Sequence, residues 1–244
     1  MLAQSEPLVA PTRNSDEGCR IMFTATQSAF GPGTGYQGQQ GGGPVIAGVS
    51  PDSRPMKVYG DQLAIFVPDN SGSMSGAKAA EASQALATCL QELADPANKD
   101  GFRVSVIPYG SSAQVAHSAS EPLQALTTLD GNGGGTSLAP ALSLAQAEVT
   151  NYSPRVDRRL QPPVVIVFSD GQLGDSAQAE IEAKRLNQMG CKLITIGFGT
   201  DADEAQLRRL ASAPDHYAFA NVGQLKSLFA MVGKTLSQQI RPAA

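Results

Sequence analysis

Short apolar runs recur along the chain, separated by stretches whose apolar residues fall at helical spacing. Residues 63–67 (Leu, Ala, Ile, Phe, Val) are apolar at every position, and so are residues 164–168. A strand reads this way when both of its faces are covered. Residues 102–107, 193–198 and 216–219 supply further strands, and residues 113–117 a short edge strand after a turn. Between them, Ala82, Leu86, Cys89, Leu90 and Leu93 mark one face of a helix over 77–93. A short helix is expected near 122–126, and another from Thr136 to about Val149. Residues 176–189 form a helix that Gly190 stops as a C-cap, and residues 203–210 form the next. Leu225, Leu228, Phe229, Val232 and Leu236 mark a terminal amphipathic helix. Strand–helix alternation of this kind gives right-handed crossovers and a Rossmann-like, doubly wound α/β fold with a mostly parallel sheet.

Composition divides the chain near residue 60. Residues 1–60 are rich in Gly, Gln, Pro and Ser, most of all over 30–43, and have too few apolar side chains to offset the entropy of ordering. They read as an arm or long loop that short apolar runs at 21–23, 45–46 and 56–59 could pin in places. Residues 61–244 read as the folded domain. Hydrophobic content of 41% is enough for a proper core. A net charge of −4 excludes a phosphate-backbone binder, which needs a surplus of Lys and Arg on one face. Cys19, Cys89 and Cys191 form neither a disulfide framework nor a zinc motif. The start of the chain lacks a secretory pattern, and no apolar run approaches the roughly 20 residues that span a bilayer. A cytoplasmic protein without membrane or nucleic-acid partners is therefore expected.

In open α/β sheets, ligands bind at the carboxyl ends of strands, near the switch in strand order. Asp69, Ser71 and Ser73 follow one strand, Asp170 follows another, and Thr136 closes the glycine loop 131–135. Two carboxylates and three hydroxyls make a hard, all-oxygen set that suits Mg²⁺, Mn²⁺ or Ca²⁺ and not zinc. Alternate spacing at 69, 71 and 73 lets a tight turn aim three side chains at one point, and Gly72 with the glycines at 133–135 allows close backbone approach. Hydroxyl ligands leave such a cation electron-poor, so an outside Asp or Glu is the natural last ligand.

Other readings of these residues stay open. Asp69, Ser71 and Ser73 could cap the following helix, and Thr136 its own; Asp201 and Asp203 read as turn and N-cap residues. The loop 131–136 lacks the Lys-Ser/Thr of a phosphate loop, and Met74 stands where a nucleophile elbow needs Ser. His117 and His216, the only histidines, belong to no recognisable triad.

Asp69-x-Ser71-x-Ser73, together with Gly134-Gly135-Thr136 and Ser169-Asp170-Gly171, resembles the metal-ion-dependent adhesion site of von Willebrand factor A domains. The resemblance extends over about residues 61–240. It implies Asp69, Ser71, Ser73, Thr136 and Asp170 as metal-site residues, some through water, in a six-stranded sheet with one antiparallel edge. Gly134-Gly135-Thr136-Ser137-Leu138 and Gly197-x-Gly199-Thr200-Asp201-Ala202-Asp203 look most similar to intracellular bacterial members of the tellurite-resistance type, which implies a kinase or phosphatase partner. Pro68 departs from the family pattern; lacking an N–H, it is expected to have left the sheet. Ser169 replaces a common Thr, a change expected to matter little. Two other functions remain: a hydrolase using the cation as a Lewis acid, and a structural domain whose metal is held internally by Asp16, Glu17 or Asp52 of the arm.

Overall fold

The computed structural model describes residues 59–242, so nearly all of the expected arm, with Cys19, Asp16, Glu17 and Asp52, lies outside the described residues. The strands are β1 (Gly60–Pro68), β2 (Phe102–Val106), β3 (His117–Ser120), β4 (Arg159–Leu160), β5 (Val164–Ser169), β6 (Lys192–Phe198) and β7 (Tyr217–Ala220). The helices are α1 (Ala77–Leu93), α2 (Ala139–Asn151), α3 (Ser176–Gln188), α4 (Glu204–Leu210) and α5 (Leu225–Ile240). The sheet runs β3-β2-β1-β5-β6-β7, parallel throughout except for the β2–β3 pair.

β1 explains why its sequence shows no alternation. Ala64 and Phe66 face one core, which they share with Leu86, Leu90, Phe229 and Val232 of α1 and α5. Leu63, Ile65 and Val67 face a second core, with Leu142 of α2, Leu186 of α3 and Leu207 of α4. Successive strand residues point to opposite faces, and both faces here are covered by helices. On the α5 side, Phe229 meets Phe168 edge-on with ring centroids 5.3 Å apart and stacks on Phe66 at 6.4 Å.

Four expectations change. Among the described residues the sheet has seven strands, not six, because β4 adds two residues beside the start of β1. β4 and β5 flank the same side of β1, and Pro162-Pro163 interrupts the pairing between them. The edge strand begins at His117 and not at residue 113. Ala113 makes only an isolated antiparallel bridge to Tyr109, after a turn whose Ser111 N–H donates to the Gly133 carbonyl at 2.7 Å, and Ala116 donates to the Val106 carbonyl at 2.8 Å. Pro68 has not left the sheet: it pairs with Phe168, and its carbonyl accepts the Tyr109 N–H at 3.0 Å. The ladder bond that it cannot donate falls at the strand's last residue, and Asp69 resumes on the other side by donating to Phe168. Finally, α2 begins at Ala139, three residues after Thr136.

Candidate metal centre

β1 and β5 are neighbours, and their carboxyl ends deliver Asp69 and Asp170 side by side at the crevice where strand order reverses. Both carboxylates are fully buried, as is Ser71, while Ser73 is exposed and Thr136 half-buried. A hydrogen-bonded chain links them. Ser71 Oγ lies 3.0 Å from Ser73 Oγ, and Ser73 Oγ donates to Asp170 Oδ1 at 2.7 Å. Asp69 Oδ1 accepts the Ser71 N–H at 2.8 Å, which folds the turn back on its own carboxylate. Thr136 joins through its backbone: its carbonyl accepts the Gly174 N–H at 2.8 Å, from the loop that follows Asp170. Its hydroxyl makes no hydrogen bond to the protein among the described residues.

The alternative reading of these residues as helix caps does not hold. Ser71, at the N-cap of the 3-10 turn Gly72–Met74, makes no side-chain cap bond, and Gly76 precedes α1. The N-terminus of α2 is capped from a distance by Asp175, whose carboxylate accepts from Leu138 N at 2.9 Å and Ala139 N at 2.8 Å. Asp203 does cap α4, accepting from Gln206 N, whereas Asp201 is exposed and lies 3.7 Å from Lys78 Nζ.

Ser169 of the motif, together with Tyr109 and Lys78, which the sequence did not single out, holds the centre together. Ser169 Oγ donates to Asp69 Oδ2 at 2.7 Å, and Tyr109 Oη approaches the same oxygen at 3.5 Å. A Thr at 169 would supply the same hydroxyl. Burial pushes the Asp69 carboxyl above the ordinary aspartate range, against the hydrogen bonds from Ser71 and Ser169; the Asp170 charge pushes the same way as burial. Burial and the Asp69 charge hold the Tyr109 phenol well above its usual value, so it stays a neutral donor. Lys78, one residue into α1, sets its ammonium 2.5 Å from Asp170 Oδ2.

Asn70 straps the glycine loop onto the turn. Its Oδ1 accepts from Asp130 N and Gly131 N, its Nδ2 donates to Asp130 Oδ1, and its carbonyl accepts the Gly133 N–H at 2.7 Å. A Cβ on Gly133 would lie 2.7 Å from that carbonyl oxygen, so the close approach expected of the loop is required there. Gly72 is different: a Cβ there would meet only the Gly134 carbonyl, at an ordinary 3.6 Å.

The donor set is two carboxylates and three hydroxyls, and no cluster of three or more His, Cys, Asp or Glu forms among the described residues. Such a set fits a hard divalent cation, and the ammonium against Asp170 shows that the cleft accepts positive charge.

Fold and site together define an α/β domain with an oxygen-lined cleft at the carboxyl edge of its sheet. The model of the von Willebrand factor type A domain matches residues 65–231, and the chain belongs to that family. No curated protein matches it. Among solved structures, it is similar to proximal thread matrix protein 1 (PTMP1) from the mussel byssus, at 21% identity and TM-score 0.57 over 73% of this chain. That match covers 46% of the mussel chain, so this protein corresponds to less than half of it. The vWF domain of the pilus tip protein Mfa5 from Porphyromonas gingivalis matches at 14% identity and TM-score 0.60, over 77% of this chain and 98% of its own. A von Willebrand factor type A protein from Catenulispora acidiphila matches at 19% and 0.57, over 72% and 42%. At these identities the likeness establishes the fold. One form of the mussel protein is described as having a zinc-occupied MIDAS motif.

Proposed function

We propose that this domain is a metal-dependent protein-interaction module without catalysis. Asp69, Ser71, Ser73, Thr136 and Asp170 would hold one divalent cation, which supplies a Lewis-acidic anchor for an Asp or Glu of a partner protein. The observation that carries this reading is the hydrogen-bonded chain Ser71–Ser73–Asp170 at the joined ends of β1 and β5. Hard oxygen donors favour Mg²⁺, with Mn²⁺ or Ca²⁺ as alternatives; the zinc named for the mussel protein makes metal identity a matter for measurement.

Binding is favoured over hydrolysis because Asp69 and Asp170, the two buried carboxylates of the centre, are both assigned to the cation, which leaves neither as a general base. Buried, unpaired Cys89 and Cys191 suit a reducing cytoplasm, and no helix among the described residues is long and apolar enough to cross a membrane. The bacterial intracellular assignment, with a kinase or phosphatase as partner, rests on the sequence resemblance.

Calorimetric titration with MgCl₂ and MnCl₂ tests the site. Wild type binds one equivalent, and Asp69→Ala and Asp170→Ala lose binding. Partner capture in Mg²⁺, with release by EDTA, tests the interaction. Equal metal affinity in Asp69→Ala and wild type would overturn the assignment, and phosphoester turnover lost in Asp170→Ala would overturn the non-catalytic part.

A further inference from the structure

Asp170 is a fully buried carboxylate whose two oxygens have different partners. Oδ1 takes the Ser73 hydroxyl, and Oδ2 takes the Lys78 ammonium at 2.5 Å. A buried carboxylate needs a countercharge, and here the chain supplies one itself. Lys78 has a second acidic neighbour. Asp201, in the loop after β6, places Oδ2 3.7 Å from the same ammonium, and its side chain is 74% exposed. The lysine stem crosses the turn at Gly199, where a Cβ would lie 3.8 Å from both Cε and Nζ. The ammonium therefore lies between a buried carboxylate and a solvated one, and a few rotatable bonds separate the two.

We propose that Lys78 is a tethered counter-cation that competes with the metal for Asp170 and transfers to Asp201 when a divalent cation enters. This inference rests on the metal-binding reading above. A metal beside Ser73 would lie on Oδ1 of the carboxylate whose Oδ2 holds the ammonium, and two cations on one buried carboxylate repel each other. Entry of the metal therefore costs the Lys78–Asp170 pair, and Asp201 lowers that cost by giving the displaced ammonium a neighbouring anion. Lys78 then sets the metal affinity lower than the oxygen donors alone would give. It also keeps Asp170 paired when metal is scarce.

Calorimetric titration with MgCl₂ and MnCl₂ on four proteins (wild type, Lys78→Met, Asp201→Asn and the double variant) tests this. Lys78→Met tightens metal binding about tenfold or more, the equivalent of about 1.4 kcal/mol. In EDTA the same variant melts below wild type, because Asp170 has lost its countercharge. Asp201→Asn, at an exposed position, weakens metal binding, and that effect vanishes in the Lys78→Met background. The double-mutant cycle separates transfer from a simple field effect, because the field of Asp201 would persist without the lysine. Unchanged or weaker affinity in Lys78→Met overturns the proposal, and so does an Asp201→Asn effect that survives in the double variant. If neither wild type nor Lys78→Met binds metal, the metal-binding reading itself fails. If wild type binds and Lys78→Met binds no better, only the role of Lys78 fails.

Discussion

Asp175 immediately precedes α3, where an aspartate ordinarily caps its own helix, yet it makes no cap bond there. Its carboxylate reaches back to α2 and takes two of the free N–H groups at that helix's start, at 2.9 and 2.8 Å. Asp175→Ala removes both bonds and a negative charge from the positive end of α2. Losing an N-cap costs about 0.5–2 kcal/mol, and losing a charge from the helix dipole a further ~0.3–1 in a partly exposed setting. About 2 kcal/mol follows for this half-buried group, a drop in Tm of roughly 4–8 °C for a domain of this size. Asp175→Asn keeps an acceptor without the charge and loses about 1 kcal/mol. Asp203→Ala is the internal comparison: it removes a single cap bond, to Gln206 N at 3.0 Å within α4, and costs about 1 kcal/mol. Urea unfolding at constant m-value reads all three. Because Leu138 closely follows Thr136, and Gly174 holds the Thr136 carbonyl, Asp175→Ala also weakens Mg²⁺ binding. A loss below about 0.5 kcal/mol for Asp175→Ala, or one no larger than that of Asp203→Ala, would refute the reasoning.

Three further outcomes are expected. Gly133→Ala places a Cβ 2.7 Å from the Asn70 carbonyl oxygen and pushes the glycine loop off the metal turn. Its mark is a metal affinity that falls more than stability does, read by calorimetry beside thermal melts. Phe229→Ala empties the space between Phe66 and Phe168 and costs about 3–5 kcal/mol in denaturant unfolding. Glu182, which accepts from Gln146, Gln178 and Arg185, is held below the ordinary glutamate range because those hydrogen bonds outweigh the effect of burial. A depressed carboxylate stabilises the fold above its unfolded value and loses that contribution as pH falls through its folded value. Glu182→Gln is accordingly less stable than wild type at pH 7, and melts followed down the pH scale converge below the glutamate range.

The amino-acid pattern by itself determined the alternation of strands and helices, because apolar periodicity is a local property that burial enforces residue by residue. It placed α1 over residues 77–93 and put Asp69 and Asp170 directly after apolar strands. The spacing of Asp69, Ser71 and Ser73 was legible as a chelating turn because three neighbouring residues need no tertiary information to share a point.

What the tertiary structure decided involves partners distant in sequence. Residues 97 apart join in the Ser73–Asp170 bond, and residues 92 apart in Lys78–Asp170. Asp175 looks in sequence like a cap for the helix it precedes, and only the packing of α2 against α3 redirects it. Pro68 looks like a strand breaker, and only its place at the end of β1, with its carbonyl still accepting from Tyr109, keeps it in the sheet. β3 starts at His117 and not at residue 113 because Ala113 turns back to bridge Tyr109, a pairing that strand propensity does not encode. Periodicity says which face of an element is buried. It carries no information about which distant polar group satisfies a free N–H or a buried charge, and at this centre those distant groups fix the geometry.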